Sequence, residues 1–460
     1  MKNVKKVMKK TSALFAFALA FLAMLIMGST EAEAKTSTLH TFFKQEGDGL
    51  KYGFKDDKGK VVVKAKYWEA GHFSEGLCPV SNDGKQWFYI NTKGKKVFGI
   101  DSTGENYLTA GNYIDCVAII AVNDATSGTY LIDKTGKKLT VNDYRYIKRL
   151  DNGYFDATSN DDTHSILNKK GKVLIASCPG SPECVTNYGF LFTSDGGEKS
   201  VYNMKGKQIL STTVGEYTLV DNAVWFAKKE NADKTVYNWS GQKIGKVDKS
   251  VVLDNPVECY NIPENKLHVA RNKSGKYGFV DCKGKFVIKP VYRWAGEFRD
   301  GVALVEKGTA SSHQNCLINT KGKTIFKFSK QVGVIRFASK YLYLEKTNPS
   351  NPNKPLTALV NLKGKYVMKF GKASDFGYIG LNGSNKEYIP FEQKGKWGVI
   401  SGDTGKVIIP AKYDNEYGFS VNYSDTNQYI SATSGSRTDI YELDGTKMGS
   451  YKGTIRNWVH

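Results

Sequence analysis

Arginine is scarce in this chain. Of its 66 basic side chains only Arg145, Arg149, Arg271, Arg293, Arg299, Arg336, Arg437 and Arg456 are arginine, so the formal net charge of +21 rests almost wholly on lysine. Lysine is a hydrated point charge, whereas phosphate and base-edge recognition favours the planar arginine fork, so specific nucleic-acid binding is disfavoured. Histidine is rarer still. His40, His72, His164, His268, His313 and His460 never fall at ligand spacing, and neither a His-Glu-x-x-His nor a Cys-x-x-Cys pair occurs. The motifs therefore call for no metal and no cofactor, and each histidine reads as a surface or satisfied side chain. Gly322-Lys323-Thr324 ends like a phosphate-cradling loop, but the position five before Gly322 is Leu317 instead of glycine. A Gly-x-Ser-x-Gly elbow is also missing. No catalytic residue is assigned.

Long apolar runs are missing after the N-terminus. The one such stretch, Ala13 to Met27, follows Lys2, Lys5, Lys6, Lys9 and Lys10 and precedes Ala32-Glu33-Ala34, a small-x-small cleavage pattern. It is short for a bilayer span of about 20 residues. Residues 1–34 therefore read as a cleaved secretory signal, with the mature chain beginning at Lys35 and carrying no transmembrane segment. Cysteine usage is thin and odd: Cys78, Cys116, Cys178, Cys184, Cys259, Cys282 and Cys316 leave at least one thiol unpaired within the chain. Cys178 and Cys184 enclose the short loop "CPGSPEC" and are the candidate disulfide. The others sit in strand-like text, as small apolar residues do.

Glycine, by contrast, is abundant and periodic. Asp or Asn, two residues, Gly and then usually Lys recur, ending at Gly59, Gly94, Gly136, Gly171, Gly206, Gly241, Gly284, Gly322 and Gly364 and, more loosely with Gly402 and Glu442 in the first place, at Gly405 and Gly445, with spacings of 35 to 43 residues. Such a turn reverses a hairpin when the glycine takes positive φ and the Asx side chain bonds the backbone two residues on. Around each turn the text alternates with period two, as in "KYGFVD" before Gly284 and "KFVIKPVY" after it, and "VALVEKG" supplies a third strand. Each module thus reads as a three-stranded meander. Long amphipathic helical text is absent. "LHTFFKQ" at Leu39 to Gln45 is left as an orphan strand that completes the final module or caps the first.

The array resembles bacterial WG (KWG) repeats. Lys396-Trp397-Gly398-Val399-Ile400, Gly405-Lys406-Val407-Ile408-Ile409-Pro410 and Tyr413-Asp414 follow that motif, as do Lys276 to Asp281, Phe298 to Val305 and Phe73 to Val80 with tyrosine in place of tryptophan. The resemblance implies an exported, all-β repeat scaffold without shared catalytic residues. Modules of about 40 residues suit propeller blades, but eleven exceed the usual four to eight of one ring. β-Propeller-like ring(s) or an open β-solenoid are therefore expected, with two rings or an open stack fitting eleven modules better than one ring. A soft boundary near residue 250, at "DNPVECYNIPEN", gives six modules in 35–250 and five in 251–460.

Two sets of side chains are candidate ligand-binding residues. Trp68 and Trp294, set in the loop after a second strand, could stack on sugar faces, although packing between modules is the plainer use of such aromatics. The turn lysines, among them Lys58, Lys60, Lys93, Lys95, Lys283, Lys285, Lys321, Lys323, Lys363 and Lys365, fall on one edge of the array. A solvated rim that keeps the protein soluble is the bland reading. The sharper one is an exported, non-catalytic scaffold that binds an anionic cell-wall polymer, a glycan or a surface protein. The alternative is a hydrolase, such as a carbohydrate-active one, with its site at a propeller centre or between modules.

Overall fold

A computed structural model describes residues 39–452 apart from 47–48, 101–106, 124–127, 151–152, 221, 254–265, 339, 378–387, 415–417 and 424–427. The expected secretory signal, 1–34, and the expected linker, 254–265, lie outside the described residues. The described chain forms eleven small antiparallel sheets in sequence order, nine with four strands and two with three. We call them blades 1 to 11 and number the strands of each from the first to the fourth in chain order. Among the described residues no helix is long and apolar enough to cross a membrane.

Blade 8 shows the pattern: Trp294–Ala295, Val302–Gly308, His313–Asn319 and Thr324–Lys327 pair in that order. The Asx-Gly turn joins the third and fourth strands. Its glycines have φ between 68° and 89°, the left-handed region that other residues avoid. At Asn319 the backbone closes with Gly322 N donating to Asn319 O at 2.8 Å, while Asn319 Oδ1 accepts from Lys321 N at 3.1 Å and Lys323 N at 3.0 Å. The same pair of side-chain bonds recurs at Asp56, Asn91, Asp133, Asn168, Asn203, Asn238, Asp281 and Asn361. One oxygen thus satisfies two amides that the reversal strips of ladder partners.

The repeat glycine next to the aromatic has a different reason. A Cβ on Gly398 would stand 2.5 Å from Ile409 O, and one on Gly278 2.6 Å from Ile288 O. Both lie where the register of the third and fourth strands shifts, so the bulge brings the two backbones too close for a side chain.

The sequence module and the blade are cut differently. A repeat such as 277–308 supplies the last two strands of blade 7 and the first two of blade 8, so the expected three-stranded meander becomes a four-stranded sheet shared between successive modules. Two blades depart from four strands. In blade 3 the fourth strand shrinks to a bridge between Ile132 and Lys138. Blade 1 has His40–Glu46, Gly49–Lys55 and Val61–Tyr67, with no innermost strand among the described residues. The orphan N-terminal strand therefore belongs to blade 1, as its second-position strand.

Buried side chains form clusters between neighbouring blades. Leu304 and Leu317 of blade 8 meet Leu342, Leu344, Ala358 and Val360 of blade 9, for example. Alternation sends successive residues of a strand to opposite faces, so each sheet feeds two such cores. Val220, Trp225 and Val247 of blade 6 meet Ala270 and Val280 of blade 7 in the same way, across residue 250. Phe43 and Phe54 of blade 1 join both Val80 and Ile90 of blade 2 and Ile440 and Met448 of blade 11. That last cluster closes the array into one propeller ring of eleven blades, in place of two rings or an open solenoid.

The proposed pairing of Cys178 with Cys184 does not form. Cys178 is a free, buried thiol, while Cys184 is disulfide-bonded elsewhere. Cys178 packs with Ile166 and Phe190 between blades 4 and 5, and Cys184 packs with Leu191 and Val224 between blades 5 and 6. The sheet of blade 5 separates them. Cys78 and Cys316 are buried free thiols, as expected of small apolar residues.

Candidate binding rim and the seam of the ring

Because every Asx-Gly turn is the same connection of its blade, all eleven turns lie on one face of the ring, near its outer edge. Lys58, Lys60, Lys93, Lys95, Lys137, Lys170, Lys172, Lys205, Lys207, Lys283, Lys285, Lys321, Lys323, Lys363, Lys365 and Lys406 are all exposed there. None of them forms an ion pair among the described residues. Lysines one position after the turn's first residue behave otherwise: Lys134 reaches Glu75 and Lys169 reaches Asp115 Oδ2 at 2.8 Å, each on the inner loop of the preceding blade. The turn geometry thus points one lysine inward to a partner and sends its neighbours into solvent. Blades 6 and 11 lack turn lysines, carrying Ser240 and Gln242 or Asp444 and Thr446, so the basic rim is two arcs.

Trp68 and Trp294 sit at the entrance to the first strand of a blade, not in a free loop. Trp68 N donates to Ser81 O at 2.8 Å, and Trp294 pairs with Glu306. Their rings are 48% and 39% exposed, and Lys51 Nζ lies 4.9 Å from the Trp68 ring centroid. They stand six blades apart, so they make no common stacking platform. Tyr67, Tyr292 and Tyr413 are buried between blades, and Trp397 packs at the margin of such a core.

At the seam between blades 11 and 1 the rim changes character. Ten turn glycines lie against the preceding blade; a Cβ on Gly94 would meet Val63, and one on Gly171 would meet Leu139. Gly59, the turn glycine of blade 1, faces open space. What bridges the gap is polar. Glu442 stands where nine of the other turns have Asp or Asn, and its longer side chain leaves the turn. Oε2 meets His40 Nδ1 at 2.5 Å, and Oε1 accepts from Thr41 N at 2.5 Å. The Thr41 amide points to where an innermost strand would pair, so the carboxylate caps an orphaned donor. In blade 7 the equivalent Val269 N is capped by the Glu297 carboxylate, at 3.2 Å.

Around Glu442 the charges are dense. His40 Nε2 meets Asp57 Oδ1 at 2.9 Å, Asp444 Oδ2 lies 3.8 Å from His40 Nδ1, and His72 Nδ1 lies 3.9 Å from Glu442 Oε1. Burial opposes the imidazolium of His40, but hydrogen bonds to Glu442 and Asp57 and the charges of Glu442 and Asp444 outweigh it and raise its pKa. Burial also raises the Glu442 carboxyl, against the pull of His40. His72 is pushed down to about 4 by burial, with Asp444 opposing weakly. His40, Glu442 and Asp444 offer ligand atoms within 4.8 Å of one another, a geometry able to hold a metal ion. Ligand spacing in the sequence misses this group because its members come from opposite ends of the chain. A glutamate in place of Asp or Asn at the last turn was its only mark.

The fold and this rim define a β-propeller repeat scaffold. Three of its repeats match the family described as WG containing repeat, at residues 52–85, 277–308 and 397–424, each block running from the third strand of one blade into the next blade. No curated protein matches the chain significantly. Among solved structures, a eukaryotic initiation factor aligns over 91% of this chain and 96% of its own at 10% identity and a TM-score of 0.33. BamB from Moraxella catarrhalis aligns over 52% and 77% at 14% identity and a TM-score of 0.24. The C-terminal WD40 domain of Sif2 aligns over 73% and 95% at 10% identity and a TM-score of 0.23.

Proposed function

We propose that the protein is exported from a bacterial cell and acts without catalysis, holding an anionic polymer of the cell surface against its lysine-bearing face. The observation that carries this reading is the set of exposed turn lysines that share one face of the ring and form no ion pair among the described residues. Charges held on rigid hairpins at repeating intervals suit a polymer whose phosphates or carboxylates also repeat. Each contact is weak, and the sum is useful only over several blades. The signal-like residues 1–34 support export, and the preference for lysine over arginine suits charge-dominated attachment more than recognition of a specific group.

Retention of the mature protein on isolated cell-wall material tests this. Binding is expected to fall steeply between about 50 and 500 mM NaCl, since the Debye length contracts well below 10 Å over that range. Replacing Lys283, Lys285, Lys321, Lys323, Lys363 and Lys365 by glutamine should abolish most of the retention at low salt. Equal retention at both salt concentrations refutes the proposal. Loss on Trp68→Ala with the lysine variant unaffected would refute it in favour of aromatic stacking.

A further inference from the structure

We propose that the seam between blades 11 and 1 is a transition-metal site of the zinc class, in which His40, His72, Glu442 and Asp444 supply the ligands and Asp57 orients His40. The donor set is mixed, two imidazoles and two carboxylates, which suits a borderline cation such as Zn²⁺ better than Ca²⁺ or Mg²⁺, whose sites are built from oxygen.

Four features of the seam support the assignment. His40 is braced as a metal-ligating histidine is: Nε2–H donates to Asp57 at 2.9 Å, while Nδ1, hydrogen-bonded to Glu442 here and facing Asp444, would give up its proton to bind a cation. His72 brings a second imidazole to the seam. Its backbone is fixed by His72 N donating to Asn112 Oδ1 at 3.0 Å, while its ring makes no hydrogen bond among the described residues and stands 3.9 Å from Glu442. Asp444 splits its oxygens, Oδ1 accepting from Thr446 N at 2.8 Å and Oδ2 facing His40. Finally, His40, Glu442 and Asp444 offer ligand atoms within 4.8 Å of one another, against the roughly 3.4 Å between tetrahedral ligands about 2.1 Å from Zn²⁺, and His72 Nδ1, 3.9 Å from Glu442 Oε1, would move in as the fourth.

The register-equivalent place in blade 7 shows what is particular to the seam. His268 there corresponds to His40, each paired with the residue before the turn Asp, Val280 and Lys55 respectively. Yet Asn238 of the preceding blade keeps its oxygen within its own turn, so His268 has no carboxylate from that side. The metal would tie the two ends of the ring at the one junction where a turn glycine does not pack on the preceding blade, joining residues separated by 402 positions in the chain.

The test uses the full mature chain, stripped with a chelator and titrated with Zn²⁺ by calorimetry at pH 7.5, with thermal unfolding followed in parallel. The expected result is one tight equivalent per chain and a raised unfolding midpoint. Asp444→Asn should weaken binding at least tenfold, and because Asp444 is largely exposed that variant should fold. Asp57→Asn should weaken binding 10- to 100-fold without removing a ligand. Affinity should also fall at pH 5.5, where protons compete for the imidazoles. Failure of the folded protein to take up Zn²⁺ overturns the proposal. So does Zn²⁺ binding that survives both Asp444→Asn and His72→Gln, or Ca²⁺ binding that equals Zn²⁺ binding.

Discussion

His40 and His268 occupy the same register position in two blades, and their surroundings drive them in opposite directions. His268 is 1% exposed, neither ring nitrogen has a partner among the described residues, and burial pushes its pKa down from 6.5 to about 4. A histidine depressed in this way stays neutral in the folded protein while the unfolded chain takes up a proton. Its contribution to stability is therefore full above pH 6.5 and is lost as the pH falls toward 4. Between pH 7 and pH 5 the linkage amounts to about 2 kcal/mol. His268→Leu keeps most of the volume and removes both the titration and two unpaired polar atoms, so stability at pH 7 should hold or rise. Urea unfolding followed by tryptophan fluorescence at both pH values measures the effect. The wild type should lose about 2 kcal/mol more than the variant on acidification. His72, depressed by the same cause, leaves the variant some acid sensitivity. If His268→Leu loses as much stability between pH 7 and pH 5 as the wild type does, the ring is solvated or paired in solution and the reasoning fails.

Turn glycines separate backbone strain from contact. Gly171→Ala and Gly59→Ala both place a Cβ at φ near +75°, but the first would set it 2.5 Å from Leu139 O while the second meets nothing within 4 Å. Gly59→Ala should cost about 1 kcal/mol for the left-handed conformation alone, and Gly171→Ala about 1–3 kcal/mol more; equal losses in chemical denaturation would deny the blade contact. Asp439 lies buried in blade 11, where it accepts from Tyr413 OH at 2.7 Å and Ser450 Oγ at 2.6 Å and meets Lys447 Nζ at 3.0 Å. Burial opposes its charge, but those hydrogen bonds and Lys447 hold its carboxyl far below the usual range. Asp439→Asn should cost about 2 kcal/mol at pH 7, and the gap should narrow as the pH falls below about 4, where the unfolded carboxyl takes up its proton, toward the depressed folded value. A gap that stays constant down to pH 2 would place the effect in packing.

What the sequence made legible was local. A glycine at positive φ with an Asx three residues before it is a constraint carried within five residues, so nine turns could be read directly from the text and the last two, with Gly402 and Glu442 in the Asx place, by their spacing. The aromatic-glycine pair was legible as a family mark, though its cause, the backbone approach at Gly398 and Gly278, needs the paired strand to be seen. Everything set by closure was hidden. Three strands per module became four per blade because the inner strand pairs with the next module, a choice of hydrogen-bond partner that no residue near the cut announces. Cys178 and Cys184, close in the chain, proved to face different interblade cores, since a strand's alternation and one intervening sheet outweigh a separation of six residues. His40 and Glu442 make the reverse case, remote in the chain and 2.5 Å apart in the ring. In a closed repeat array the junction of the two ends is the one place where neighbours in space are strangers in sequence. A turn that spells Glu where nine other blades spell Asp or Asn is therefore most informative in the last blade, because there the longer side chain can reach only the first.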